Sequence, residues 1–308
     1  MPVNIEIYAP FQVRSKLRVK SPIKLTQHTS LIPYPKRVVR EADLMFGQGK
    51  PLEFMGREHA PFIKHTIAYQ KGFLDYLKQS HPFSQNVFLI GQLPDPSICN
   101  FLTACDLVKP IFFWIDIEII RAPLNGEMKV RSVKRLACHS FRIQLLSRFE
   151  LPYIEKGDVK KIRTLLQHIE ETNKSPGRLR QALISYSRAL LTEDLEFAFL
   201  LYWQVLEALF SPGGTEVSHR ICEIAAAVLH PFGSDRLEAY DQLRELYRIR
   251  SKIVHGESRA IKDLPMLTLK ISEYARQVLS AVLQSFEYKK YLLAQKPHKE
   301  FLKVVLGQ

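Results

Sequence analysis

The spacing of apolar residues changes midway along the chain, and with it the kind of element the sequence predicts. Between Phe112 and Arg121 the pattern alternates, with Phe113, Ile115, Ile117 and Ile119 on one side and Trp114, Asp116, Glu118 and Ile120 on the other. A period of two is that of a strand covered on one face. Asn125-Gly126 then supplies two residues that accept positive φ, so Met128 to Val133 can return as the partner strand. Val87 to Ile90 is a short apolar run closed by Gly91, which fits a buried strand or a single helical turn. Prolines at 33, 35, 51, 61, 82, 94, 96 and 110 interrupt this half repeatedly. The expectation is a β-containing domain over residues 1–155.

Beyond that point the period lengthens. Asp158 to Thr172 is predicted helical and is ended by Asn173-Lys174-Ser175-Pro176-Gly177. Leu179, Ala182, Leu183, Tyr186 and Leu190 then recur every three or four residues, on one face of a second helix. Thr192 is placed to cap a third helix, with Glu193 and Asp194 at the positive end of its dipole. That helix runs through Phe210, is apolar on almost every side, and is expected at the centre of a bundle. A helix over Val217 to His230 follows. Ser234 is placed to cap the next, Gly256 to close it, and a last long helix covers about Leu264 to Tyr288. The fold class expected is α+β, with an all-α bundle over residues 156–308 after the β-containing domain.

Charge adds a direction. Lys plus Arg number 44 against 31 Asp plus Glu, a formal charge of +13 over 308 residues. The first 150 residues carry 21 basic and 12 acidic side chains, and the rest carry 23 and 19, so the surplus is +9 and +4. A field of this sign favours polyanions such as RNA, or an acidic protein, although solubility alone also accounts for it. No apolar run approaches the roughly 18–20 residues of a membrane span, so no membrane partner is expected. The N-terminus lacks the layout of a secretion signal, and four scattered cysteines suggest no disulfide framework. A cytoplasmic protein is the expectation.

The candidate chemistry lies in Leu246-Tyr247-Arg248-Ile249-Arg250-Ser251-Lys252-Ile253-Val254-His255-Gly256. Arginine supplies a permanent cation with five donors, and histidine exchanges a proton near neutral pH. Together they are the minimum that metal-free cleavage of a phosphodiester would need. Arg250 falls within an apolar stripe of Leu243, Leu246, Tyr247, Ile253 and Val254. There it serves equally well as half of an ion pair with Glu207, Glu223 or Glu245. On an ideal helix His255 stands about 140° from Arg250, so the two converge only if the last turn deviates or a second subunit completes the site.

Other groups offer less. Asp116 and Glu118 share a strand face, suited to a metal-dependent nuclease or simply to solvent. Cys99, Cys105, Cys138 and His139 lack the close pairing of a zinc site, Cys222 suits a packed core, and no metal or cofactor is expected. Gly47-Gln48-Gly49-Lys50 lacks the spacing of a phosphate loop, and His59 and His65 have no evident partner. Lys129, Arg131, Lys134, Arg135, Arg142 and Arg148 form a basic cluster that either guides RNA or is a solvated face.

The run Leu246–Gly256 resembles the Arg-polar-x-x-x-His motif of the HEPN superfamily, and most closely its Apea-like branch, with Ser251 in the polar place. Gln204 to Phe210 resembles the acid-bearing helix of that branch, and Ser218 to Cys222 the intervening helix. The resemblance covers about residues 178–285, roughly a third of the chain. It implies an all-α domain that dimerises and cuts RNA without metal, with Arg250 and His255 lining a cleft at a two-fold interface. His255 would act as general acid or base and Arg250 would bind the phosphate. Ser251 would orient the phosphate, Glu207 would hold Arg250, and Lys252 and Tyr247 would add phosphate and base contacts. It further implies a bacterial stress or anti-phage effector governed by a trigger or inhibitor protein, with the N-terminal domain selecting substrate or sensing. Members without catalysis bind RNA, a nucleotide or a partner protein, which is the alternative expectation.

Overall fold

The computed structural model describes residues 6–10, 12–13, 23–25, 30–33, 37, 87–92, 97–110, 113–124, 127–139, 154–192, 194–211, 217–257, 261–294 and 296–307. They fall into two compact units. Gly47–Lys50, His59, His65, Arg142 and Arg148 lie outside the described residues.

Among the described residues the first unit holds a seven-stranded sheet in the order β2-β6-β1-β5-β4-β3, with β7 pairing β6. The strands are β1 (Glu6–Pro10), β2 (Gln12–Val13), β3 (Ile23–Lys24), β4 (Ser30–Pro33), β5 (Val87–Gln92), β6 (Phe113–Leu124) and β7 (Glu127–His139). Only Asn125 and Gly126 separate β6 from β7, a connection short enough to demand an antiparallel hairpin. The apolar run at Val87 is the central strand β5, antiparallel to both β1 and β4. Strand β6 is longer than its alternation predicts, and its register slips. Tyr8 faces Ile119 while Gln12 faces Trp114, so the register shifts by one residue in the interval between these two pairings. Pro10, which has no N–H to give to a ladder, lies in that interval. The side chains of Asp116 and Glu118 fall outside the described residues.

The second unit gathers nine helices among the described residues. They are α1 (Ser97–Val108), α2 (Asp158–Asn173), α3 (Arg178–Leu190), α4 (Leu195–Phe210), α5 (Val217–Leu229), α6 (Ser234–Val254), α7 (Leu264–Gln284), α8 (Phe286–Leu293) and α9 (Pro297–Leu306). All but the first two residues of α1 are assigned to this unit, although the helix precedes the sequence boundary expected near 156.

Helix α4 is the hub. Ala198, Phe199, Leu201, Tyr202, Trp203, Val205, Leu206, Leu209 and Phe210 are buried, and α3, α5, α6 and α7 pack against it. Its cap differs from expectation: Asp194, not Thr192, accepts the N–H of Phe197 at 2.8 Å, while Thr192 accepts the N–H of Asp194 at 3.3 Å. The predicted last helix is two. Ser285 ends α7 and accepts the N–H of Tyr288 at 3.1 Å, starting α8, and Pro297 opens a further helix that the pattern did not predict.

Helix α1, also unforeseen, is buried from Asn100 to Leu107. Such burial requires partners for its polar groups. The Tyr186 hydroxyl donates to Asp106 Oδ2 at 2.5 Å, Thr103 and Ser187 share a hydrogen bond of 2.6 Å, and Asn173 donates to Asn100 at 3.1 Å. Arg276 of α7 donates to the Leu107 carbonyl at 3.3 Å, and Lys109 pairs with Asp158 at 2.7 Å. Burial, with Asp106 and Asp158 nearby, pushes the Cys105 thiol well above its usual range. Tyr186→Phe deprives the buried Asp106 of a donor, and urea unfolding should show a loss of about 1–3 kcal/mol. An unchanged midpoint would refute this role.

Candidate functional site

Helix α6 carries the candidate motif. Gly233, at φ 92°, caps it, and the Ser234 hydroxyl turns to Asp235 Oδ1 at 3.4 Å instead of serving as the predicted cap. Leu243, Leu246, Ile249 and Ile253 are buried, so the helix lies on the bundle through an ordinary apolar stripe. Its C-terminus is closed by two backbone hydrogen bonds. The N–H of Glu257 reaches the Lys252 carbonyl at 2.8 Å, and that of Gly256 reaches the Ile253 carbonyl at 3.1 Å. With Gly256 at φ 78°, this is a Schellman motif. It leaves His255 as the C-cap residue, exposed to solvent.

Two rungs tie α6 to α4. The Trp203 and Tyr247 rings are 5.5 Å apart and tilted by 56°. Four residues along α4, Glu207 Oε1 lies 3.3 Å from Arg250 Nη2. Of the three acids considered for Arg250, Glu207 is the partner found, and both side chains are about 30% exposed (30% and 29%). Val254 is 51% exposed, so the stripe around Arg250 opens to water at its end. Ser251 is half-buried and Lys252 exposed.

Arg250 and His255 do not occupy one face. The helix is regular through Val254 with His255 immediately after it, so the separation of about 140° stands within one chain. The arc of α4 that presents Glu207 leaves Phe197 51% exposed and Leu200 and Ala208 half-exposed, so this helix is less completely enclosed than its composition suggests.

Sequence reasoning passed over several neighbours. Trp203 is core, as its apolar helix implies, and it also stands behind Tyr247, with its buried Nε1 lacking a hydrogen-bond partner among the described residues. Its place four residues before Glu207, on the same helical face, was the available signal. The Tyr240 hydroxyl lies 2.7 Å from His219 Nδ1, and Arg244 Nη1 donates to Ser218 Oγ at 3.5 Å. Burial pushes the Cys222 thiol up to about 12 against the opposing pull of Arg244, so at neutral pH it keeps its proton.

The other candidates are not gathered here. Lys129 pairs with Glu127 at 3.4 Å on the exposed end of β7. The side chains of Arg131, Lys134 and Arg135 fall outside the described residues. Cys99 and Cys105 both sit on α1, and among the described residues no three histidine, cysteine or carboxylate side chains cluster as metal ligands would. No described helix is long and apolar enough to cross a membrane. Comparison with models of known families, with curated proteins and with solved structures finds no match to this chain.

The cap can be tested alone. A methyl group at Gly256 meets nothing within 4 Å, so the cost of Gly256→Ala is the positive φ itself. Urea unfolding should register a loss of about 1 kcal/mol, with Gly256→Asn recovering part of it. An alanine variant as stable as the wild type would contradict this backbone argument.

Proposed function

We propose that this protein is a metal-independent endoribonuclease of the HEPN type, acting as a homodimer. The observation that carries the reading is the state of Arg250. It is braced by Glu207 from a buried helix yet remains 30% exposed, one turn before a cap that leaves His255 in solvent. A guanidinium has five donors, and an ion pair with one carboxylate oxygen leaves others for a phosphate. Attack by a 2′-hydroxyl on the adjacent phosphorus uses a nucleophile already in the substrate. It forms a 2′,3′-cyclic phosphate and releases a 5′-hydroxyl. Histidine in the base role takes the 2′ proton, or in the acid role protonates the departing oxygen, while arginine stabilises the negative charge on the non-bridging phosphoryl oxygens. Because one helix turns Arg250 and His255 apart, His255 of the partner subunit is assigned to face Arg250 across a two-fold axis. The exposed side chains of Phe197 and Val254 favour such a contact. Ser251 orients the phosphate, Lys252 supplies positive charge, and Tyr247 offers a ring to a base. A role as a stress or anti-phage effector, held by an inhibitor or released by a trigger protein, accords with this chemistry.

The same ion pair favours a second reading. If Glu207 engages Arg250 permanently, the motif is structural and the bundle is a non-catalytic HEPN module that binds RNA, a nucleotide or a partner protein.

Total RNA incubated with purified protein in EDTA separates the two. Wild type should leave 2′,3′-cyclic phosphate ends, and folded Arg250→Ala and His255→Ala should each lose at least about 100-fold in rate. Equal cleavage by all three removes the proposed site. Silence of all three with RNA binding retained supports the binding module.

A further inference from the structure

We propose that the seam of α6 running back from Tyr247 to Tyr240, completed by Ser218 and His219 of α5, is a binding track for single-stranded RNA. It rests on the ribonuclease reading and extends that site along the substrate. At about 100° per residue, Tyr240, Arg244, Tyr247, Ser251 and His255 share an arc of about 80° and span about 22 Å of helix. None of the five is buried. Glu238, Asp241 and Glu245 fall outside that arc, so the line itself carries no carboxylate.

Neighbouring helices hold the line in shape. His219 Nδ1 lies 2.7 Å from the Tyr240 hydroxyl, and the two rings meet edge to face at 5.5 Å. Ser218 Oγ accepts from Arg244 at 3.5 Å, and Trp203 backs Tyr247 at 5.5 Å. Among the described residues no carboxylate pairs with Arg244. The result is an aromatic ring, a guanidinium and a second aromatic ring in sequence, each partly exposed and each positioned from a second helix. A single strand meets such a line with bases stacked on the tyrosines and a phosphate on Arg244. A duplex keeps its base faces inside its own stack and gains only the charge contact. The line leads to Ser251 and His255, placing the bound strand beside the proposed point of cleavage.

The test is fluorescence anisotropy on the full chain with a labelled strand of about ten nucleotides, 2′-O-methylated so that it cannot be cut. Wild type should bind it. Arg244→Gln and Tyr240→Leu should each weaken binding about 10-fold, and Arg244→Gln should reduce the slope of log K against log salt by about 0.7, the share of one phosphate. Arg244→Lys, which keeps the charge, should restore that slope and shows that the position tolerates change. Wild-type affinity in the Gln and Leu variants, or no binding by wild type, overturns the track. Tight, variant-sensitive binding without cleavage of an unmodified strand in EDTA upholds the track while removing the ribonuclease reading.

Discussion

A helix that is apolar on nearly every side must be walled in by others, and the second unit is organised by that requirement on α4. Helices α3, α5, α6 and α7 supply the walls. One arc remains open, and there the helix carries Glu196, Gln204 and Glu207. The partly buried carboxylate of Glu207 is therefore held on a rigid support, and it meets the arginine of α6. The position of Arg250 follows from the packing of α4 more than from anything on α6 itself.

This arrangement contributes orientation more than stability. An ion pair between side chains about 30% exposed is worth roughly 0–1 kcal/mol, no more than the aromatic contact of Trp203 with Tyr247 beside it. In the proposed site, restricting the rotamers of Arg250 matters more, because a cation that is to bind phosphate works best already aimed. The helix end is specified in the same way. The glycine at positive φ and its two backbone bonds stop the chain at His255, so the histidine stands at a fixed cap and not on a fraying turn.

Helices α3, α5, α6 and α7 were legible because each lays an apolar stripe on the hub, and α2 because its stripe meets α3 and α7. Helix α1 was not, for the opposite reason. Residues buried from Asn100 to Leu107 show no solvent side, so Asn100, Thr103 and Asp106 look like breaks in a pattern until Tyr186, Ser187 and Asn173 are seen to satisfy them. The division of the last helix at Ser285 was hidden too, since neither glycine nor proline marks it and serine reveals itself as a cap only by its bond to Tyr288. At the site, residue types and spacing pointed to Arg250, His255 and a short set of acids. The choice of Glu207 from that set, and the pairing of Tyr240 with His219, depend on contacts 43 and 21 residues apart that no local pattern encodes.

The central claim is that one α6 cannot complete the site and that two copies share it. The most direct measurement mixes Arg250→Ala and His255→Ala proteins, each inactive alone, lets subunits exchange, and assays RNA cleavage in EDTA. A mixed dimer then has one site with both residues intact and one with neither. With random exchange, about a quarter of wild-type activity should return. A mixture that stays silent beside an active wild type, with exchange verified, would contradict the shared site.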